Sequence, residues 1–276
     1  MIPLADKAHA FRDLHRRPGT FVMPNPWDVG SARLLARMGF EALATTSAGL
    51  AFSSGRRDGT GTRDETIAHV ASLAAATDLP LSADLERGFG DAPRDVARAI
   101  RLAAAAGAVG GSIEDATGQT GTPLYDVDFA ADRVRAAAEA ARDLPHPFTL
   151  TARAENFLVG RPDLRDTIAR LQAYQAAGAD VLFAPGLTTG DEIATVVASV
   201  DRPVNIVMGL QGAQLTVAEL SSLGVRRISL GSALARTAFG AFLRAAEEVH
   251  QHGRFNFTSQ AIAFHEINDQ FPPNGK

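Results

Sequence analysis

The 276-residue chain contains no cysteine, which removes disulfides, thiolate nucleophiles, zinc-thiolate sites and any thiol acid or base in one step. Lysine is almost as scarce. It stands only at Lys7 and Lys276, near the two ends, whereas a Schiff-base aldolase or a pyridoxal enzyme needs a desolvated lysine inside its pocket. Schiff-base chemistry is therefore not expected. There is no basic run and no aromatic-basic interleaving that would track a phosphate backbone, and the net charge is -4, so no nucleic acid partner is expected. No stretch reaches the roughly 18 consecutive apolar residues of a membrane span. Met1–Lys7 also lacks the charged-then-apolar pattern of a signal region. The sequence reads as that of a cytoplasmic protein without a membrane partner.

What is present is a full-sized core: 46% of residues are hydrophobic and 21% charged, which fits one large α/β domain or two ordinary ones. Eight short β-like runs recur, at Phe21–Asn25, Glu41–Thr46, Pro80–Asp84, Gly110–Glu114, Phe148–Arg153, Asp180–Ala184, Pro203–Val207 and Arg227–Leu230. Amphipathic stretches with apolar residues at three-to-four spacing lie between them, as in Ala92–Ala106, Val127–Arg142 and Pro162–Ala177. Gly or Pro punctuates most junctions. Eight βα units predict a (β/α)8 TIM-type barrel, whose reactive groups sit at the C-terminal strand ends; a doubly wound sheet is the alternative. The absence of a linker or composition shift predicts one domain over 1–276, with a helical extension and tail at 256–276. In that extension the spacing predicts a helix over Thr258–Asp269 with an apolar stripe (Ala261, Ile262, Phe264, Ile267), destined either for the underside of the barrel or for another subunit.

Carboxylates stand where apolar strands end: Asp84 and Glu86 after the third run, Glu114 and Asp115 after the fourth. In a barrel these ends share one rim. Unpaired acids so close would disfavour each other's ionisation, and a hard divalent cation is the simplest remedy. Asp58 lies in a Gly-rich polar loop, where turn chemistry is the competing explanation. Asp115 is equally well read as a helix cap or an arginine partner. Arg153 ends the fifth run and suits a carboxylate bound through both arms of the guanidinium, the competing reading being an ion pair with Glu155 or another rim acid. All-oxygen donors favour Mg2+, with Mn2+ possible, over zinc. Asn205 is evenly divided between site and scaffold. Gly231-Ser232 reads as a tight strand-helix turn, with phosphate binding as the alternative.

The series Thr46-Ser47, Gly55-Arg56-Arg57-Asp58, Asp84-Leu85-Glu86-Arg87-Gly88-Phe89-Gly90, Ser112-Ile113-Glu114-Asp115 and Thr151-Ala152-Arg153 resembles the isocitrate lyase/phosphoenolpyruvate mutase superfamily over nearly the whole chain. The resemblance implies a (β/α)8 barrel, a Mg2+ site and a C-terminal helix exchanged between subunits of a homo-oligomer, either dimer or tetramer. It implies Asp84 as the direct metal ligand, with Asp58, Glu86 and Glu114 acting through metal-bound waters. Thr46 and Ser47 match the loop that holds the substrate's carboxylate or oxyanion, and Arg153 matches the substrate-binding arginine. The implied reaction cleaves or rearranges a bond beside a small 2-oxo or 2-hydroxy carboxylate through an enolate.

The chain departs from the pattern in its strand-four loop. Where isocitrate and methylisocitrate lyases carry Lys-Lys-Cys-Gly-His, this loop reads Ala116-Thr117-Gly118-Gln119-Thr120-Gly121-Thr122-Pro123-Leu124-Tyr125. Those two activities are not expected. The loop lysine of phosphonopyruvate-processing members is also missing, which weakens phosphorus-carbon chemistry, and Ala184-Pro185-Gly186 replaces the glutamate that the lyases offer after strand six. A proton donor must come from elsewhere, Tyr125 and a metal-bound water being the candidates. The expected function is thus a Mg2+-dependent carbon-carbon lyase. The rivals are a phosphonopyruvate mutase or hydrolase and a catalytically silent acid-binding barrel.

Overall fold

Each of the eight β-like runs forms a strand, and every pairing between them is parallel. The computed structural model describes residues 2–271 apart from 211 and 213; Lys276 and the tail 272–276 fall outside the described residues. The strands are β1 (Phe21–Met23), β2 (Leu43–Ala44), β3 (Leu81–Asp84), β4 (Gly110–Glu114), β5 (Thr149–Arg153), β6 (Val181–Phe183), β7 (Val204–Val207) and β8 (Arg227–Ser229). Their order, β1-β8-β7-β6-β5-β4-β3-β2, puts the first strand beside the last, with Phe21 opposite Arg227. A doubly wound sheet cannot do this. The remaining seam is bridged where Ala44 N donates to Pro24 O at 3.1 Å and Asn25 Nδ2 donates to Thr45 O at 2.9 Å.

The helices are α1 (Leu4–Arg16), α2 (Val29–Arg37), α3 (Ser47–Ser53), α4 (Arg63–Ala76), α5 (Pro93–Ala105), α6 (Val127–Arg142), α7 (Leu164–Ala177), α8 (Gly190–Ala198), α9 (Val217–Ser222), α10 (Ala233–His252) and α11 (Phe264–Asn268). Several start on reciprocal caps that satisfy otherwise orphaned amides, among them Thr62 with Glu65, Thr189 with Glu192 and Thr216 with Glu219. Residues alternate along each strand with period two. On β5, Leu150 and Ala152 join the shell core with Val134, Ala137 and Leu171, while Thr151 and Arg153 bond side chains across the lumen. Truncating Leu150, which is fully buried, to Ala would cost about 2–5 kcal/mol.

The lumen is polar and its bottom is closed by α1. Phe11 and His15 of α1 stack edge-on with ring centroids 4.8 Å apart, and His15 meets Phe21 at 5.0 Å. That leaves the C-terminal segment no place beneath the barrel. The helix expected over Thr258–Asp269 is not continuous. A 3-10 turn at Asn256–Gln260 and the five-residue α11 are joined through extended Ala261 and Ala263. A short segment of β-branched and polar residues has too little propensity to stay helical unless something packs on its apolar side. Among the described residues much of that side is open: Ile262 is 55% and Phe264 84% exposed, and Ile267 is half-buried. Among the described residues no helix is long and apolar enough to cross a membrane.

Candidate active site

The C-terminal mouth of the barrel holds a cavity of about 200 Å³ whose wall includes Thr46, Ser47, Asp58, Asp84, Arg153 and Asn205. Its centre is Arg153. This guanidinium lies 3.2 Å from Asp84, 3.3 Å from Glu114 and 2.8 Å from Glu155, one contact for each of its three nitrogens. Burial alone would lower its pKa, but Glu155, Glu114 and Asp84 outweigh it and raise it further. The competing reading of Arg153 as an ion-pair partner is thus realised, and with three acids together.

Asp84 ends β3 and is tied on every side. Its backbone N–H donates to Thr45 Oγ1 at 2.8 Å, and its Oδ2 accepts from Ser47 N at 3.1 Å. Thr46 caps α3, its hydroxyl oxygen accepting from Gly49 N at 3.2 Å. The Thr46-Ser47 pair therefore orients Asp84 as well as lining the cavity. Asp58 is exposed at the cavity rim and accepts from its neighbour Gly59 N at 3.0 Å.

Glu86 sits in the left-handed region with φ 48°, a conformation that costs a side chain of order 1 kcal/mol and persists only where surroundings impose it. The imposing contact is Glu114 N donating to Glu86 O at 3.1 Å, which continues the β3-β4 ladder past the strand ends. Gly88 completes the turn at φ 80°, where a Cβ would meet Val96 Cα at 3.1 Å. Burial, then Asp84 and Asp58, push the Glu86 carboxyl up to about 7. Glu114 is driven well above the carboxylate range by burial, with Arg153 opposing and Glu155, Asp84 and Glu86 adding to the rise.

Among the described residues no three carboxylates or imidazoles stand close enough to form a preformed cage; Arg153 lies between Asp84, Glu114 and Glu155. The donor set still suits a hard cation that keeps several of its waters and takes few direct protein ligands. It is all oxygen, and two of its carboxyls resist ionising while no cation neutralises them.

Other residues resolve into scaffold. Asp115 is an arginine partner: it accepts from Arg170 Nη1 at 3.0 Å, Tyr174 Oη at 2.6 Å and Glu155 N at 2.8 Å, and so fixes Glu155 behind Arg153. Tyr125 does not line the cavity. Its hydroxyl donates to Asp91 at 2.5 Å, its ring lies under Arg133, and burial together with Asp91 raises its pKa to about 12. It is therefore unsuited to deliver a proton into the site. Gly231 N donates to Asn25 Oδ1 at 2.9 Å, in keeping with the turn reading of Gly231-Ser232.

Two functional-looking residues escaped the sequence reading, Glu155 as a site member and Arg227. Arg227 is fully buried with no carboxylate beside it. Its guanidinium donates to Asn205 Oδ1 at 2.8 Å and Thr151 Oγ1 at 2.9 Å, and lies 3.2 Å from His15 Nε2. Burial lowers its pKa to about 9. The available signal was the period-two alternation, which turns Thr151, Asn205 and Arg227 inward.

The eight parallel strands, with acids and Arg153 at their C-terminal mouth, place the chain among the (β/α)8 barrels, and comparison narrows the class. The family model for phosphoenolpyruvate phosphomutase matches residues 11–250, so the chain belongs to the phosphoenolpyruvate mutase family, within the isocitrate lyase/phosphoenolpyruvate mutase superfamily. A crystal structure of a candidate lyase/mutase from Burkholderia cenocepacia J2315 superimposes with TM-score 0.96 at 62% identity, covering 99% of this chain and 98% of that one. The 2-methylisocitrate lyase of Escherichia coli K12 is 29% identical over 263 residues, 92% of this chain and 86% of the relative. An oxaloacetate decarboxylase of Chromohalobacter salexigens is 29% identical over 235 residues, 83% and 80% of the two chains. Relatives of this kind support an enzyme with carbon-carbon lyase or mutase chemistry.

Proposed function

We propose that this protein is a divalent-metal-dependent lyase, using Mg2+ or Mn2+, that cleaves a carbon-carbon bond in a small 2-oxo or 2-hydroxy carboxylate through an enolate. The observation that carries the reading is the Asp84–Arg153–Glu114–Glu155 cluster at the mouth of a cavity of only about 200 Å³. Asp84 would hold the cation directly, with Asp58, Glu86 and Glu114 orienting its waters. The cation supplies Lewis-acid stabilisation of negative charge on the substrate oxygen.

The residues themselves bind and orient. Arg153, ringed by acids, would have an arm available for the substrate carboxylate if a bound cation took up the charge of Asp84 and Glu114. Thr46 and Ser47 present a hydroxyl and a helix start to the same end of the substrate. Preorganised donors of this kind stabilise charge that develops in the transition state. With Tyr125 directed elsewhere and no lysine or histidine in the strand-four loop, the chain lacks an evident side-chain acid at the leaving carbon. Loss of carbon dioxide from a carboxylate on C3 of a 2-oxo diacid asks least of such a site: that carboxylate is β to the ketone, so the breaking C–C bond leaves its electron pair to the ketone oxygen as an enolate, whose carbon takes a proton from solvent. The missing loop residues also argue against isocitrate and methylisocitrate as substrates.

The exposed apolar residues of α10 and the segment beyond it, with Phe242 66%, Leu243 56% and Phe255 61% exposed, support a homo-oligomer in which this helix packs on a neighbouring copy. Thermal stability against 2-oxo, 2-hydroxy and phosphono acids, with Mg2+ and with a chelator, tests the site. A metal-dependent shift from one carboxylate, lost in Asp84→Ala, is expected. A shift from a phosphonate alone would move the activity to phosphorus-carbon chemistry.

A further inference from the structure

A cavity of about 700 Å³ lies at the opposite end of the barrel, at the N-terminal ends of β5, β6 and β7. Three elements bring guanidinium groups to it: Arg16 from the last turn of α1, Arg142 from the end of α6 and Arg202 from the loop before β7. Among the described residues none of these three donates a hydrogen bond or forms an ion pair with a side chain. Arg12 joins them, and its one nearby acid is the exposed Asp13 at 3.4 Å. The sole carboxylate in the wall is Asp180, which accepts from Leu150 N at 2.9 Å.

A cationic residue in the last turn of a helix has an ordinary reason, the negative end of the helix dipole. That accounts for Arg16 and Arg142 one at a time. It does not account for Arg202, nor for three exposed forks gathered round one concave space in which the single carboxylate of Asp180 is the only negative charge of the wall acting on them. An anion with several charged oxygens would neutralise all three and match the planar geometry of each. His15, kept neutral first by burial and then by the neighbouring Arg227 although its Nδ1–H donates to Phe11 O at 2.8 Å, forms part of the same wall.

We propose that this cavity is a binding site for a small multiply charged anion, bearing carboxylate or phosphate groups, separate from the candidate active site. The cavity is much larger than the one at the C-terminal mouth and is rich in cations where that one is rich in acids.

Calorimetric titration of metal-free, full-length protein with pyrophosphate in one arm and tricarballylate in the other tests the proposal and identifies the preferred oxyanion. Binding that weakens with added salt is expected in at least one arm. The triple variant Arg16→Ala, Arg142→Ala, Arg202→Ala should weaken it about tenfold or more, while Arg37→Ala, Arg98→Ala, Arg165→Ala, the same charge change on exposed arginines outside the cavity, should leave it intact. No binding of either anion at millimolar concentration would overturn the site. So would equal losses in the two triple variants, which would reduce the effect to general charge attraction.

Discussion

Replacing Arg153 by glutamine keeps a polar side chain and removes the one cation among the described residues that touches Asp84, Glu114 and Glu155, at 3.2, 3.3 and 2.8 Å. Breaking a buried ionic cluster by deleting one partner costs about 3–5 kcal/mol, because the remaining charges stay buried without compensation. The acids can escape part of this by taking up protons. Glu114 and Glu155 already have raised pKa values, through burial in the first place. A carboxyl raised in the folded state holds a proton that the unfolded chain releases, so its contribution to stability is present at low pH and is lost as pH rises through the folded pKa. Losing Arg153 raises those values further. The variant should therefore be close to wild type near about pH 5 and fall behind by the full about 3–5 kcal/mol near about pH 8 in the presence of chelator. Saturating Mg2+ should recover part of the difference. Urea denaturation midpoints at the two pH values measure this. A deficit below about 1 kcal/mol at both pH values would refute the claim that Arg153 neutralises the cluster.

Three further outcomes follow from particular contacts. Because Glu86 is pushed up to about 7 from 4.5, protons should compete with the metal below neutrality; Mn2+ affinity measured by calorimetry should rise between those values and flatten above, with proton release, and a flat profile would remove Glu86 from the metal site. Gly88→Ala places a Cβ 3.1 Å from Val96 Cα at φ 80°, which should cost about 1–3 kcal/mol in denaturation midpoint and disturb Glu86 with it. Phe242→Asp together with Leu243→Asp should shift the mass seen by light scattering toward the monomer, since both side chains are more than half exposed in the single chain; an unchanged mass would place any subunit contact elsewhere.

The barrel was legible because period-two runs and amphipathic stretches alternate through the chain. Val127–Arg142 was read to the residue, while β2 shrank from Glu41–Thr46 to Leu43–Ala44. Asp84 and Arg153 were legible because charge at the end of an apolar strand has few structural uses. Their direct contact was not, because it joins β3 to β5 across the lumen, a distance no local pattern encodes. Arg227 and His15 were hidden for the same reason, lying 212 positions apart in sequence and 3.2 Å apart in space. Tyr125 was misread because a loop residue near an acid motif reveals nothing of its direction; Asp91 and Arg133 turn it away. The segment after α10 carried a helical pattern, but among the described residues its apolar side chains stay exposed, as at Phe264, and the helix breaks up.

The central claim is carbon-carbon bond cleavage dependent on a divalent cation at Asp84. Carbon NMR of the protein with a series of small 2-oxo and 2-hydroxy acids, with and without Mg2+, observes the products directly. One acid should be cleaved to two fragments only with metal, and Asp84→Asn should abolish the cleavage while remaining folded. Undiminished turnover in Asp84→Asn, or no cleavage of any acid despite metal-dependent binding, would contradict it.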